Sequence, residues 1–311
     1  MHSLHGQRVL VTGATGFLGS HLCRRLCEAG VEVHAVTRTR ARVSTNGLQW
    51  WQGNVERLES VRTLLNHIQP HTIFHLSGHV TAAPDLDLVL PTFHSLLAST
   101  VNLLTVAMEI RCRRLVLAGS LTEPIGDHTE VTPGSPYAAA KWAGNTYARM
   151  FHQLYDTPVV IVRPFMTYGP GQNVRKVVPY VTRCLIGGDP PKISSGEWKA
   201  DWVYVDDVID GFIASACTPF AEGCTIDLGT GSLVSLRAVV TKIEGLIGAS
   251  VEPIFGALSE RPLEQTRAAN VSYAYEKIKW KASTSLIEGL EQTVNWYRDH
   301  DEDNEAMDVQ A

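Results

Sequence analysis

The chain has 311 residues, of which 44% are hydrophobic and 19% charged, and its formal net charge is −5. That length exceeds the needs of one small core and predicts one large or two intimate domains. The mild acidity (pI about 6.2) gives no electrostatic basis for nucleic acid or an anionic membrane surface, so neither partner is expected.

No apolar run is expected to span a bilayer. The opening MHSLHGQRVLVTG enters a strand pattern without signal-peptide anatomy, which predicts a cytoplasmic protein. The six cysteines, Cys23, Cys27, Cys112, Cys184, Cys217 and Cys224, are scattered, and reduced thiols are expected.

Strand and helix patterns alternate. RVLVT (8–12) reads as a strand and FLGSHLCRRLCEAG (17–30) as a helix closed by Gly30. VEVHAVT (31–37) is a strand, VERLESVRTLLNHI (55–68) a helix and TIFHLS (72–77) a strand. A long helix follows around 88–111, then the strand RLVLAGS (114–120), the helix SPYAAAKWAGNTYARMFHQLY (135–155) and the strand PVVIVRPF (158–165). Continuous apolar strands separated by helices predict an α/β protein with a doubly wound parallel sheet of the Rossmann type, covered on both faces.

After residue 166 glycine and proline rise. Shorter strands (WVYV, CTIDLG, EPIFGA) and helices at about 206–217, 235–247 and 284–298 follow. The predicted organisation is a dinucleotide-binding domain over 1–165 and a smaller substrate-binding lid over 166–299, some of whose segments can return to the first sheet. A disordered acidic tail is expected over 300–311. The histidines His67, His71, His75 and His79 recur every four residues, but Pro70 interrupts any helix there and TIFHLS is a strand. They do not share a face, and no metal site is expected.

The segment VTGATGFLG (11–19) lies between the first strand and its helix. Gly13 permits the tight turn, Gly16 lets backbone approach a pyrophosphate, and Gly19 lets the helix close on the strand. The helix N-terminus supplies donors and a positive dipole end to phosphate. The spacing is G-x-x-G-x-x-G. Tyr137 and Lys141, four residues apart, share a helix face. A nearby ammonium favours phenolate and is expected to lower the tyrosine pKa. Ser120 ends the strand 114–120 at the sheet edge where ligands bind, and its hydroxyl can bond a substrate oxygen.

Together, TGATGFLG, Ser120 and YAAAK (137–141) resemble, in order and spacing, the three signatures of the extended short-chain dehydrogenase/reductase family, in its NAD(P)-dependent epimerase, dehydratase and ketoreductase branch acting on nucleotide sugars. The likeness continues in RPFMTYGPGQ (163–172), DWVYVDDV (201–208), Arg261 with Pro262, and the final WK…SLIEGLEQTVNWYRD, so it spans 8 to about 299. The resemblance implies that Tyr137 is the acid/base, that Lys141 holds the nicotinamide ribose and tunes Tyr137, and that Ser120 binds the reacting oxygen, with Thr122 as its substitute. It assigns Thr15, Phe17, Leu18 and Arg163 to the cofactor with the three glycines. Asn54 and Val55 lie beside the adenine, and Arg261 grips the substrate diphosphate. It further implies a nucleotide-diphosphate sugar as substrate and a homodimer formed through the helices 88–111 and 137–155. Three departures touch the substrate half. Met166 stands where many members have an Asn. Ala200 stands where many have an Arg, with Lys199 beside it. Leu96, next to Ser95, stands where an Asn often orders a catalytic water.

The second strand ends in Thr37, Arg38 and Arg40, and no acid occurs between Glu32 and Glu56. In this fold a carboxylate there binds the ribose 2′-hydroxyl of NAD, whereas arginine binds the 2′-phosphate of NADP. NADP(H) is therefore the expected cofactor, with NAD the alternative. Enzymes that take up NADPH are net reductases, so the expected activity is reduction of C4 in an NDP-4-keto-6-deoxyhexose. The alternatives are an NAD-dependent nucleotide-sugar 4-epimerase and a catalytically silent nucleotide-sensing protein. Leu121 and Thr122 follow Ser120 and only Glu123 is acidic, which disfavours a dehydratase.

Overall fold

The computed structural model describes residues 4–39, 44, 47–81, 83–124, 132–260 and 265–300. They fall into two compact units. The first comprises Met1–Pro164, Ile209–Leu228 and Asn270–Trp280, and the second Phe165–Val208, Gly229–Ala269 and Lys281–Ala311.

In chain order the first unit begins β1 (Arg8–Thr12), α1 (Phe17–Glu28), β2 (Glu32–Thr37), β3 (Leu48–Gln52), α2 (Leu58–Ile68) and β4 (Thr72–His75). A broken helical segment follows: a 3₁₀ turn, α3 (Val89–Thr92), a π-helical turn (Phe93–Ala98) and α4 (Ser99–Glu109). Then come β5 (Arg114–Ala118), α5 (Pro136–Tyr155) and β6 (Val159–Pro164). The second unit holds β7 (Met166–Tyr168), α6 (Val177–Gly187) and β8 (Lys199–Tyr204). Helix α7 (Val205–Cys217) and β9 (Thr225–Leu228) follow, mostly in the first unit. The second unit resumes with β10 (Leu233–Ser235) and α8 (Leu236–Ile247); α9 (Val271–Ile278) belongs to the first unit and α10 (Leu286–Asp299) to the second.

The sheet of the first unit has seven parallel strands in the order β3-β2-β1-β4-β5-β6-β9. The order reverses between β1 and β4, which makes their carboxyl ends the switch point where such sheets take ligands. Register aligns those ends: Thr12 lies opposite His75, His75 opposite Leu117, and Ala118 opposite Val162. The loops carrying Gly13, Ser77 and Ser120 therefore leave the sheet side by side. On one face Leu10, Ile73, Leu115, Leu117 and Ile161 pack with Leu64 and Leu65 of α2 and Leu103 and Leu104 of α4. Alternation turns Val9, Val11, Val33 and Ala35 to the opposite face, where they are equally buried.

The break in the helix 86–109 has a local cause. Pro91 lacks an N–H, and the hydroxyls of Thr92, Ser95, Ser99 and Thr100 each donate to the carbonyl four residues earlier. Such back-bonding competes with the regular ladder and bends helices. Contrary to expectation, Leu86–Glu109 is long and apolar enough, by length and composition, to cross a bilayer. Its Leu103, Leu104, Val106 and Ala107 instead lie in the core of the first unit.

One further expectation is corrected. EPIFGA forms no strand: it contributes only the isolated bridge of Lys192 with Ile254. The strand in CTIDLG is β9, and it extends the large sheet beside β6. The second unit has a three-stranded sheet, β10-β8-β7. The buried Asp201 of β8 accepts from the N–H groups of Thr230, Gly231 and Ala269 and from the Thr230 hydroxyl, tying two loops to that strand.

Candidate active site

The glycine-rich turn fits a dinucleotide. Gly13 has φ +71°, and a Cβ there would lie 2.7 Å from the backbone of Leu76 and Ser77. At Gly19 a Cβ would lie 2.0 Å from the Gly13 carbonyl oxygen, so only glycine lets α1 seat against the turn. The N-cap, Gly16, makes no side-chain cap, and the first turn of α1 carries no acid. Thr15 and Gly16 are exposed, and Phe17 and Leu18 half-buried, around a helix end whose N–H groups and dipole favour a pyrophosphate.

Across the switch point the structure brings Ser120, Thr122, Tyr137 and Lys141 together. Ser135 caps α5 through the Ala138 N–H, and Pro136 occupies its first turn, which fixes where the helix starts and hence where Tyr137 points. The Ser120 side chain faces the Tyr137 hydroxyl and favours its ionised form. The Ser120 and Thr122 hydroxyls are 2.9 Å apart. Lys141 Nζ donates to the Ala118 carbonyl at 2.6 Å. Burial lowers the Lys141 pKa to about 8, with the Glu123 carboxylate opposing that shift. The expected lowering of the Tyr137 pKa is corrected: burial raises it, Ser120 only partly offsets this, and Glu123 adds to the rise.

Beneath this set lies a polar cluster that the residue patterns did not reveal. The buried Glu123 accepts from the Ser120 N–H and from Asn145 Nδ2, each at 2.6 Å. Arg163, expected at the cofactor, donates Nε to Asp227 Oδ1 at 2.7 Å and acts electrostatically on Glu123. His75 at the end of β4 is fully enclosed: its Nδ1 lies 2.7 Å from Thr12 Oγ1 and its Nε2 3.3 Å from Ser99 Oγ. Burial, then the charge of Lys141, hold the His75 pKa down to about 3, so this imidazole is neutral. Leu96 packs on Tyr137 and Ala140.

At the adenosine end, the buried Thr37 bonds Thr39 through their hydroxyls, and Arg38 contacts Glu56 at 3.4 Å. Asn54 Oδ1 accepts from the Glu56 N–H, and its own N–H donates to Ser60, which shapes the entry to α2. Val55 is buried, and its carbonyl accepts from Asn102. Arg40 and Arg261 lie outside the described residues. Met166 lies on β7 opposite Trp202, Lys199 is exposed on β8 opposite Ser235, and Ala200 is buried, all in the second unit. His67, His71, His75 and His79 lie on α2, in the turn before β4, on β4 and in the loop beyond it.

Comparison with known proteins narrows the chemistry. A family model described as the NAD dependent epimerase/dehydratase family matches residues 9–227. The UDP-glucose 4-epimerase of Mycolicibacterium smegmatis is 32% identical over 94% of this chain and 98% of its own length. The UDP-glucuronate 4-epimerase of Thermodesulfobacterium geofontis is 26% identical over 94% and 96%. Among solved structures, MoeE5 in complex with UDP-glucose and NAD is 28% identical, with TM-score 0.83 over 94% of this chain and 99% of that one. The UDP-glucose 4-epimerase of Thermotoga maritima, solved with UDP-glucose, shares the fold at TM-score 0.86 and 23% identity, over 94% and 99%.

These relatives overturn the expectation of an NADPH-dependent ketoreductase acting on an NDP-4-keto-6-deoxyhexose, because the two curated relatives matched along nearly their whole length are named as 4-epimerases and MoeE5 was solved with UDP-glucose and NAD. That expectation rested on the arginines after β2. Arg38 is exposed and paired with Glu56, so its presence does not define a net reduction.

Proposed function

This chain belongs to the NAD dependent epimerase/dehydratase family, and we propose that within it the chain is a 4-epimerase of a UDP-hexose, interconverting UDP-glucose and UDP-galactose. The observation that carries this reading is the 32% likeness to a UDP-glucose 4-epimerase along both chains. The enclosed Ser120, Tyr137 and Lys141 set supports it and speaks against a catalytically silent sensor.

The Gly13, Gly16 and Gly19 turn and the open end of α1 would hold the pyrophosphate, with Lys141 at the nicotinamide ribose. The bound dinucleotide supplies a reversible hydride acceptor at C4 of the sugar. Tyr137 takes the proton of the C4 hydroxyl and returns it to the C4 oxygen after the sugar presents its other face. Ser120 holds that oxygen by a hydrogen bond through both halves of the cycle, with the Thr122 hydroxyl orienting Ser120. No proton is gained or lost over a turnover. The surroundings of Tyr137 suit this: it is buried, and Leu96 packs on it.

Thr37 and Arg38 offer the ribose no carboxylate. An exposed ion pair such as Arg38 with Glu56 contributes little, so Arg38 can turn to a 2′-phosphate, and NADP is accepted in this reading alongside NAD. Met166, Lys199 and Arg261 are the substrate-side residues of this reading. A homodimer through adjoining helices accounts for the exposed apolar residues Leu86, Leu90 and Phe93 on one and Trp142 and Tyr147 on the other. The cytoplasm, where thiols stay reduced, suits the free cysteines.

The test is to incubate the purified protein with UDP-galactose, without added reductant, and follow UDP-glucose by anion-exchange chromatography. Interconversion to a fixed ratio without consumption of dinucleotide is the expected result. No interconversion of UDP-glucose, with turnover of UDP-glucuronate instead, would move the substrate to the uronate. Inactivity toward both would reject the reading.

A further inference from the structure

We infer that Glu123 is a positioning residue for the reaction, its buried carboxylate holding the Ser120 loop against α5 and setting the charge balance around Lys141. The inference rests on the proposed function and deepens it at the same site.

The carboxylate is almost wholly enclosed and sits one turn of chain beyond Ser120. A single oxygen, Oε1, accepts from two donors on different elements: the backbone N–H of Ser120 and Nδ2 of Asn145 on α5, each at 2.6 Å. The first bond fixes the peptide that carries the Ser120 side chain, and hence the direction in which the hydroxyl meets Tyr137. The second ties that peptide to the helix bearing both Tyr137 and Lys141, since Asn145 lies one turn beyond Lys141. Glycine before Ser120 leaves room for this cluster, because a Cβ at Gly119 would lie 2.6 Å from Oε1 and 2.9 Å from Asn145 Nδ2 and Arg163 Cγ. The loop is thus built around the carboxylate.

Among the described residues, its charged neighbours can be named. Arg163 of β6 faces Glu123 but is itself paired with Asp227 of β9. Lys141 and Tyr137 face it from α5, and His75 of β4, neutral, faces Lys141. A buried carboxylate unpaired with hydrogen-bond donors would be costly, and here the two 2.6 Å bonds supply them. Those same bonds tie Oε1 to the Ser120 loop and to α5, which gives Glu123 a role through Ser120 and Lys141.

The experiment compares the wild type with Glu123→Gln and Asn145→Asp in two readouts. One is the pH profile of epimerisation. The other is the titration of Lys141 by NMR of ¹³C-lysine-labelled protein, with Lys141→Arg assigning the signal, which needs no substrate. Glu123→Gln keeps the shape but removes the charge. The expected result is a kcat at least about tenfold lower with little change in KM, an alkaline limb moved to lower pH, and a Lys141 midpoint lower by roughly one unit. Asn145→Asp adds a carboxylate beside Glu123 and should move the Lys141 midpoint in the opposite direction. The second variant decides the matter if the first does not fold. A Lys141 midpoint that moves in neither variant, or a Glu123→Gln enzyme with wild-type kcat and pH profile, overturns the inference. A wild type that fails to epimerise counts against the proposed function alone, because the Lys141 titration still decides the role of Glu123.

Discussion

The ammonium of Lys141 donates to the carbonyl oxygen of Ala118 at 2.6 Å, so the helix that carries Tyr137 is stitched to the last residue of β5. Ala118 precedes the Gly119 and Ser120 loop by one residue, and one bond therefore relates both halves of the site. Burial brings the Lys141 pKa down to about 8.

An alkaline limit on activity follows. Below about pH 8 Lys141 is an ammonium able to donate to Ala118 and to a ribose hydroxyl; above it the ammonium is lost. The kcat/KM profile should fall above about pH 8, and Lys141→Met should remove that limb together with most of the activity. Stability should move the other way. Because the folded pKa lies below the unfolded value of 10.5, the unfolded chain binds more protons between about pH 8 and 10.5, and this group's contribution rises with pH across that window. A profile flat to pH 10 would contradict the first expectation.

Tyr137→Phe keeps the ring and removes the hydroxyl that meets Ser120. General acid–base catalysis contributes about 10²–10⁴-fold, so kcat should fall by that factor while dinucleotide affinity, measured by calorimetry, stays within about twofold. Near-wild-type turnover in this variant would assign the proton transfer to another group.

The glycine turn and the Tyr137 and Lys141 pair were readable in the sequence because each is set by neighbours in the chain: a positive φ at Gly13, a helix repeat of four residues. The Rossmann sheet was readable from its unbroken apolar strands. What escaped depends on contacts between distant residues. LQWWQ at β3 is an edge strand only half buried, so its pattern gives no clear period. EPIFGA has strand composition but pairs only through one bridge. Nothing local shows that the Glu123 carboxylate is occupied by Asn145, 22 residues away, and by the Ser120 N–H. The Tyr137 pKa was misjudged for the same reason: the spacing reveals Lys141 but not the depth of burial. Arg38 suggested a reductase, and its partner Glu56 lies 18 residues on.

Acid should weaken the fold through His75. The imidazole would protonate near its ordinary value of 6.5 in the unfolded chain but only near 3 in the folded one. As pH falls from about 6.5 to 3 the unfolded state gains a proton the native state refuses, so stability declines across that window, with a ceiling on the order of 5 kcal/mol. His75→Gln should be less stable at pH 7, having lost its contacts with Thr12 and Ser99, yet its urea midpoint should depend less on pH between 4 and 6.5. Parallel pH dependences in the two proteins would show that His75 is not the acid-sensitive group.

Gly19→Ala tests the seat of the dinucleotide. The added methyl would meet the Gly13 oxygen at 2.0 Å and the Gly13 carbonyl carbon at 2.7 Å, both backbone atoms that cannot swing aside. Overpacking of this kind costs about 1–3 kcal/mol, and relief requires α1 to back away from the turn. A lower melting temperature and at least about tenfold weaker dinucleotide binding are expected together. A variant that loses stability but binds as before would separate the turn from the cofactor.

Arg38→Asp addresses cofactor choice. A charge-assisted hydrogen bond contributes roughly 1.5–3 kcal/mol, so removing the guanidinium and adding a carboxylate should lower the NADP to NAD affinity ratio by at least about tenfold. The side chain is largely exposed, and salt screens exposed charges, so the change should shrink as ionic strength rises from about 0.01 to 1 M. Glu56→Gln frees Arg38 from its partner and should raise the same ratio by a smaller factor. The two dissociation constants for each dinucleotide, measured at two salt concentrations, check both expectations. A ratio indifferent to Arg38→Asp would mean that the end of β2 does not touch the ribose, and the assignment of Thr37 and Arg38 to the cofactor would fall with it.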